Sequence, residues 1–414
     1  MAVCKDNPAA SSVLDTTSIS RGFILVDNAK NGNASLAQIG TGDFMWTIGA
    51  ESWLPIDSLQ TVWGQASYTN DHRRNIRWAN AVDIHRVGPY VIGDEVGGNL
   101  SVQIYDFGGG YARRIGEIFT VGLSIDYRAE IDYRQRDPRL RAIVSDLNLS
   151  GGVSYAIWYD MLVAAGVMYN LYNQDDDVDF YSVNNSVRVY PLTGLGTTYS
   201  RFSGLSGDFS TAYKGYGWGV NVALLPARTE ACRLTLSLGM DKEETRLILR
   251  GYNNLNLTKL NHTAYNLALA RPVKIRNVVF SPRANIRLDS YCGTENLFGS
   301  AVGNVYEQIG SRSTYKKHNF DADVAVNVRM KAGIGSTINV MPSMSYYSQS
   351  EKMTASDREL AFNLLIPALD MSWATTWSSI WYTSLNAGVN YRYARITAER
   401  LPGLDDADAI GAMV

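Results

Sequence analysis

From Phe119 to Arg134 apolar and polar side chains alternate without a break. Phe119, Val121, Leu123, Ile125, Tyr127, Ala129, Ile131 and Tyr133 share one parity. Thr120, Gly122, Ser124, Asp126, Arg128, Glu130, Asp132 and Arg134 share the other. A period of two sends these sets to opposite faces of a β-strand. At about 3.3 Å per residue the stretch spans roughly 50 Å, against about 5–6 residues for a usual globular strand. A tilted membrane-crossing strand needs only about 9–11 residues. The pattern predicts a transmembrane β-barrel stave, its odd face toward lipid and its even face toward a polar lumen.

The same alternation recurs along the chain. Strands are predicted over Ser18–Val26, around Phe44–Ala50 and over Thr61–Asn70, Gly97–Tyr111, Leu147–Ile157 and Met161–Tyr172. Later ones fall near Tyr216–Leu224, Leu234–Met240, Val278–Leu288, Phe320–Met330 and Leu385–Tyr393. The fold class is all-β, an antiparallel transmembrane barrel of about 16 strands, within a range of roughly 14–18. Residues 18–414 form the barrel, and residues 1–17 an N-terminal segment placed to plug the lumen or its base. Residues 71–98 are too long and irregular for a plain connection, so a folded functional loop or a plug is expected there. Gly108–Gly110 suggests a bulge or a close approach of another group. Asp175, Asp176 and Asp177 are expected to open an outer loop with Phe180, Tyr181 and Tyr190.

Composition narrows the function classes. The 414 residues carry a net charge of −2, which disfavours a nucleic-acid reader, usually clearly basic. Tyr (25), Gly (36) and Trp (9) suit aromatic-rich strands joined by tight turns. A mean hydropathy of −0.14 is compatible with a barrel, because half of each strand faces water. The most apolar stretches, Tyr155–Tyr172 and Leu360–Trp377, are interrupted by Asp160, Asn170, Asn363, Pro367 and Asp370, so neither reads as a spanning helix. Export calls for a signal peptide, and the residues before Cys4 lack its basic and apolar regions. Cys4, Cys232 and Cys292 have no metal-ligand spacing, although a Cys232–Cys292 disulfide is geometrically open. No dinucleotide or phosphate-loop fingerprint occurs, and no cofactor or metal is expected.

Several runs carry a resemblance. They are Pro89–Gly98 (Pro-Tyr-Val-Ile-Gly-Asp-Glu-Val-Gly-Gly), Tyr127-Arg128-Ala129, Tyr133–Arg139 (Tyr-Arg-Gln-Arg-Asp-Pro-Arg) and Val144–Leu147. Leu192–Gly196 and Tyr199-Ser200-Arg201-Phe202 continue the set. Through them the chain resembles a Bacteroidota outer-membrane β-barrel family of unknown function. Asn7-Pro8-Ala9-Ala10 is similar to the Asn-Pro-Ala box near the start of fatty-acid-transporter-type barrels. The resemblance implies the cell outer membrane, with lipid and lipopolysaccharide as surroundings. It implies uptake or passage of a small ligand, beside a TonB-dependent receptor or a surface lipoprotein. It supplies no reaction and no ligand.

Each candidate has a plainer reading. Asp126, Arg128, Glu130, Asp132 and Arg134 alternate in sign on one face, so they can do acid–base work or form a salt-bridged lumen wall. With no nucleophile–base arrangement around His72, His85, His262 or His318, the wall is favoured over a hydrolase. Arg136, Asp137 and Arg139 flank Pro138 in turn chemistry, their arginines pairing with nearby acids rather than with lipopolysaccharide phosphates. Arg201 near a strand end lines a constriction or anchors at the interface. Asp175–Asp177, like Asp405, Asp406 and Asp408, lack the spacing of a calcium loop. A barrel that passes a ligand, lined by Asn7, Pro8, the Arg73–Arg86 loop and the charged face, is the leading expectation. A packed structural barrel that anchors or escorts a partner is the alternative.

Overall fold

The computed structural model describes residues 7–10, 18–30, 36–116, 118–158, 161–181, 187–204, 209–226, 234–252, 254–303, 305–333, 335–377 and 382–402. The chain opens with β1 (Ile19–Lys30), β2 (Gly42–Pro55) and β3 (Gln60–Ile76), followed by the short β4 (Ile92–Asp94). Next come β5 (Gly98–Ile115), β6 (Phe119–Tyr133), β7 (Arg139–Trp158) and β8 (Met161–Asp179). After β9 (Val189–Gly194) and β10 (Thr197–Thr198) follow β11 (Phe209–Pro226), β12 (Thr235–Leu249) and β13 (Leu255–Ala270). β14 (Val273–Ile275), β15 (Val278–Phe298), β16 (Gln308–Lys331), β17 (Ser336–Met353) and β18 (Arg358–Thr376) lead to β19 (Tyr382–Asn390) and β20 (Tyr393–Arg400).

Seventeen of these strands form one antiparallel sheet, and β4, β9 and β10 form a second, small one. Each long strand pairs with the next long strand in the chain, which makes the large sheet a meander. Two staves are interrupted. Arg271-Pro272 separates β13 from β14 along the same edge of β15, and proline cannot donate to a ladder. β19 and β20 both lie along β18, with the break beside Pro367. With those halves joined, fifteen staves stand among the described residues. No ladder there joins β1 to β19 or β20, so the sheet does not close among the described residues. No described helix is long and apolar enough to cross a membrane.

The alternation in β6 sorts its side chains as the sequence predicts. Leu123 is 70% exposed on the outer face, whereas Glu130 and Asp132 are 1% exposed on the inner one. One expectation is corrected, and for another the second of its two alternatives holds. Asp175–Asp177 belong to β8, which continues to Asp179 because Asp175, Asp176 and Asp177 keep partners on both β7 and β11. Gly108–Gly110 form no bulge, since the ladders to β3 and β6 run through them in register. Gly110 instead lies against the inward Trp63 ring, where a Cβ could not fit. Cys292 is a free thiol whose Sγ lies 3.4 Å from Ser313 Oγ, and Cys4 and Cys232 lie outside the described residues, as does the Asp405–Asp408 run.

Connections at one end of the large sheet are short, as at 56–59, 116–118 and 332–335. The other end carries the long segments 77–97 and 180–208. These are called the turn end and the loop end. The main apolar core lies inside the loop end, where Trp78, Val87, Tyr90 and Ile92 pack against inward residues from β5 round to β17, among them Val102, Tyr213, Leu257 and Met353. The sheet is therefore curled round the 77–97 segment.

Candidate functional site

The inner face is occupied at two levels. At the loop end the 77–97 segment folds inward instead of standing over the strands. Its helical turn Ile84–Val87 carries Asp83 just before it and Arg86 within it. Asp83 accepts both terminal nitrogens of Arg128 on β6, one at 3.1 Å. Arg86 reaches Asp146 on β7 at 3.0 Å and Glu243 on β12, with its guanidinium 4.0 Å above the Tyr172 ring. The segment thus gives one acid to a wall arginine and one arginine to two wall acids. Such reciprocal pairs fix orientation as well as depth, because a shift breaks both signs together.

A deeper pair sits behind these. Arg134 and Asp94 are 1% and 0% exposed at their side chains and lie 2.7 Å apart. Arg134 also donates to Pro138 O at 2.7 Å and to Asn80 Oδ1 at 3.2 Å. Asp94 accepts the Gly97 N–H at 2.7 Å, and its carbonyl accepts the Trp78 N–H at 2.8 Å. Gly97 stands at φ +56 with Ile76 O where a Cβ would be, a position that suits only glycine. A second inward segment completes the stopper. β9 pairs with β4 through Ile92↔Pro191 and Asp94↔Val189. Tyr199 donates to Asn296 O, Arg201 to Phe298 O, and Arg358 Nη1 to Leu195 O at 2.8 Å. Burial pushes the Tyr90 phenol up, and that of Tyr199 up to about 12.

At the turn end, Asn7–Ala10 lies inside the wall. Asn7 Oδ1 accepts the N–H groups of Ala9 and Ala10 at 3.1 and 3.2 Å, a helix cap with Pro8 in the first helical position. Gly122, Gly152 and Gly166 supply the space. A Cβ on Gly122 would come within 2.6 Å of Ala9 N, and one on Gly152 would meet Asn7 Oδ1. Ala10 packs with Leu162, Ala164, Ala223 and Leu225.

The residues singled out from the sequence divide between these levels. Glu130, Asp132 and Arg134 are buried under the stopper, Arg128 is half-buried at its edge, and Asp126 is exposed between the stopper and the N-terminal box. Arg73 joins the cluster from β3, 2.9 Å from Asp71 and 3.4 Å from Asp132. Arg139 pairs with Asp137 within its own turn at 3.2 Å and covers the Tyr181 ring at 4.1 Å, whereas Arg136 stands exposed beside Gly98. Asp83 and Asp94 escaped the sequence reading, because nothing local marks an acid whose partner lies on another strand. Their signal was indirect: Pro89–Gly98, Tyr133–Arg139 and Leu192–Phe202, three of the runs that carry the resemblance, meet in this one stopper.

No curated protein matches the chain. Among solved structures, the outer membrane transporter YddB from Escherichia coli is 10% identical, with a TM-score of 0.38 over 91% of this chain and 60% of that one. The alcaligin outer membrane receptor FauA from Bordetella pertussis is 9% identical, with a TM-score of 0.38 over 91% and 70%. The copper transporter OprC is 9% identical, with a TM-score of 0.42 over 91% and 62%. The chain therefore spans about three-fifths of the length of the first of these. Residues 8–400 match the model of a family of unknown function, DUF6850, and the chain belongs to that family.

Proposed function

We propose that this protein is an outer-membrane β-barrel that admits a small ligand through a gated lumen. The loop end faces outward and the turn end faces the periplasm, the arrangement usual for such barrels. Exposed apolar residues on the outer parity, such as Leu123, Leu238, Val324 and Met344, support a lipid-facing wall. The observation that carries the gating is the stopper itself. Its ties to the wall run through Asp83, Arg86 and Asp94, charged groups that water can take over once the segment moves. The box at Asn7 and Pro8 is the second stop, at the periplasmic mouth.

A structural barrel, sealed for good and serving to hold a surface lipoprotein or a neighbouring TonB-dependent receptor, is the second reading. The apolar core beneath the stopper favours it, since Trp78, Tyr90 and Ile92 would have to be exposed on opening. Conductance in planar bilayers, with solute entry into proteoliposomes, separates the two. Current or entry that rises when Arg86 is replaced supports passage, and a silent barrel in both assays sinks it.

A further inference from the structure

The four arginines of the loop-end cluster, Arg73, Arg86, Arg128 and Arg134, each face a carboxylate. The turn end is built differently. Residues 264–288 and 324–350 contain no Asp or Glu. Within them Arg271, Lys274, Arg276, Arg283, Arg329 and Lys331 are all exposed, and none makes an ion pair among the described residues. Arg283 donates only to Met341 Sδ and Arg329 only to Asn339 Oδ1 among those contacts.

The ladders bring four of the six to one face. Lys274 lies opposite Val279 on β15, and Val279 lies opposite Arg329 on β16, so Lys274 and Arg329 share a row. Arg283 and Lys331 keep the same parity as Val279 and Arg329, which is the inner face. The outer face of the same tip is apolar, with Val273, Ile275, Val278 and Phe280. Like charges brought together on a sheet destabilise it. A bilayer headgroup would meet the outer face, where these four cations are not. An aqueous partner at the mouth would meet them directly.

We propose that the cationic rim formed by β14, β15 and β16 at the turn end is a docking surface for an acidic segment of a periplasmic protein. The placement in the periplasm rests on the outer-membrane reading, whereas the binding chemistry does not. The extended strands present the charges in a row, which suits an extended acidic peptide. Screening shortens the reach of exposed charges from about 10 Å at 0.1 M salt to about 3 Å at 1 M, so the contact must be salt-sensitive.

The test uses the full chain in nanodiscs of neutral phosphatidylcholine and a fluorescent oligo-glutamate peptide, followed by anisotropy. The expected result is binding that weakens at least about 10-fold between low and high salt. Arg329→Gln with Lys331→Gln should weaken it by a similar factor, and an oligo-lysine peptide should not bind. These side chains are exposed, and far-UV circular dichroism checks that the variant keeps its strands. Absence of peptide binding, or binding indifferent to salt and to the substitutions, overturns the proposal. In nanodiscs of mixed phosphatidylcholine and phosphatidylglycerol, enrichment of phosphatidylglycerol around the unmodified protein without peptide binding overturns it too, and would make the rim a headgroup site. Failure of the chain to enter nanodiscs at all counts against the barrel reading instead.

Discussion

Replacing Arg134 by Leu should loosen the stopper without unravelling the wall. The substitution leaves Asp94, with a side chain 0% exposed, as an unpaired buried carboxylate. It also removes donors to Asn80 Oδ1 and Pro138 O. Breaking a buried pair from one side costs about 3–5 kcal/mol. At about 1.4 kcal/mol per factor of ten, that is roughly a 10²- to 10³-fold rise in the open population of the segment, or somewhat more. Hydrogen exchange reads it directly. The Trp78 and Gly97 amides, which donate to Asp94, should lose protection by that factor, while amides in the β6–β7 ladder should change little. Adding Asp94→Asn should recover part of the loss, because the stranded charge is then gone. Unchanged protection at Trp78 and Gly97 in the single variant would refute the idea that this pair holds the segment in. Equal loss across β6 and β7 would refute the separation of stopper from wall.

Gly152→Val should expel the N-terminal box, since the new side chain takes the place of the Asn7 amide; protease cleavage near residues 7–10 should then rise, while Gly64→Ala, whose Cβ would meet only Gly108 O at 3.7 Å, should change nothing. Arg86→Ala removes a ring contact and two carboxylate pairs and should raise solute entry by about tenfold, the worth of one charge-assisted contact; unaltered entry would argue for the sealed barrel. Tyr199, its folded-state ionisation pushed up to about 12 by burial, contributes stability that is complete below the unfolded value near 10 and is lost as pH climbs from there toward 12. Fluorescence of Trp78 should report that alkaline loosening, and Tyr199→Phe should flatten it.

Strand positions were legible wherever one face is apolar and exposed and the other polar and turned inward, because two unlike faces impose a period of two. The 119–134 stretch is the clearest instance. The extension of β8 through Asp175–Asp177 was not legible. Three consecutive acids look like a loop until β11 supplies Ser210 as a partner for Asp177 and the turn after β12 supplies Arg250 for Asp175. Likewise the charged face of β6 reads from sequence as one uniform wall. Its division into an exposed Asp126 and a buried Glu130–Asp132–Arg134 comes from a segment some fifty residues earlier, and no local pattern encodes that contact. The 71–98 region announced a folded element by its length and its mixture of arginines with aromatic residues, but residues 71–76 continue β3 rather than being irregular, and the inward direction of the rest was not written there.

The β4–β9 ladder has a consequence for the order of assembly. In the wall, each ladder joins long strands that follow one another in the chain, so most of its loops close over short separations. The ladder inside the stopper joins Asp94 to Val189, and β5 to β8 lie between them. Closing so long a loop is entropically slow until the intervening strands are in place. A chain that first zips β5 through β8 shortens that path and creates the concave surface on which Trp78, Tyr90 and Ile92 can be buried. The stopper is thus the last part to form and the first to yield under denaturant, while the hairpins around it persist.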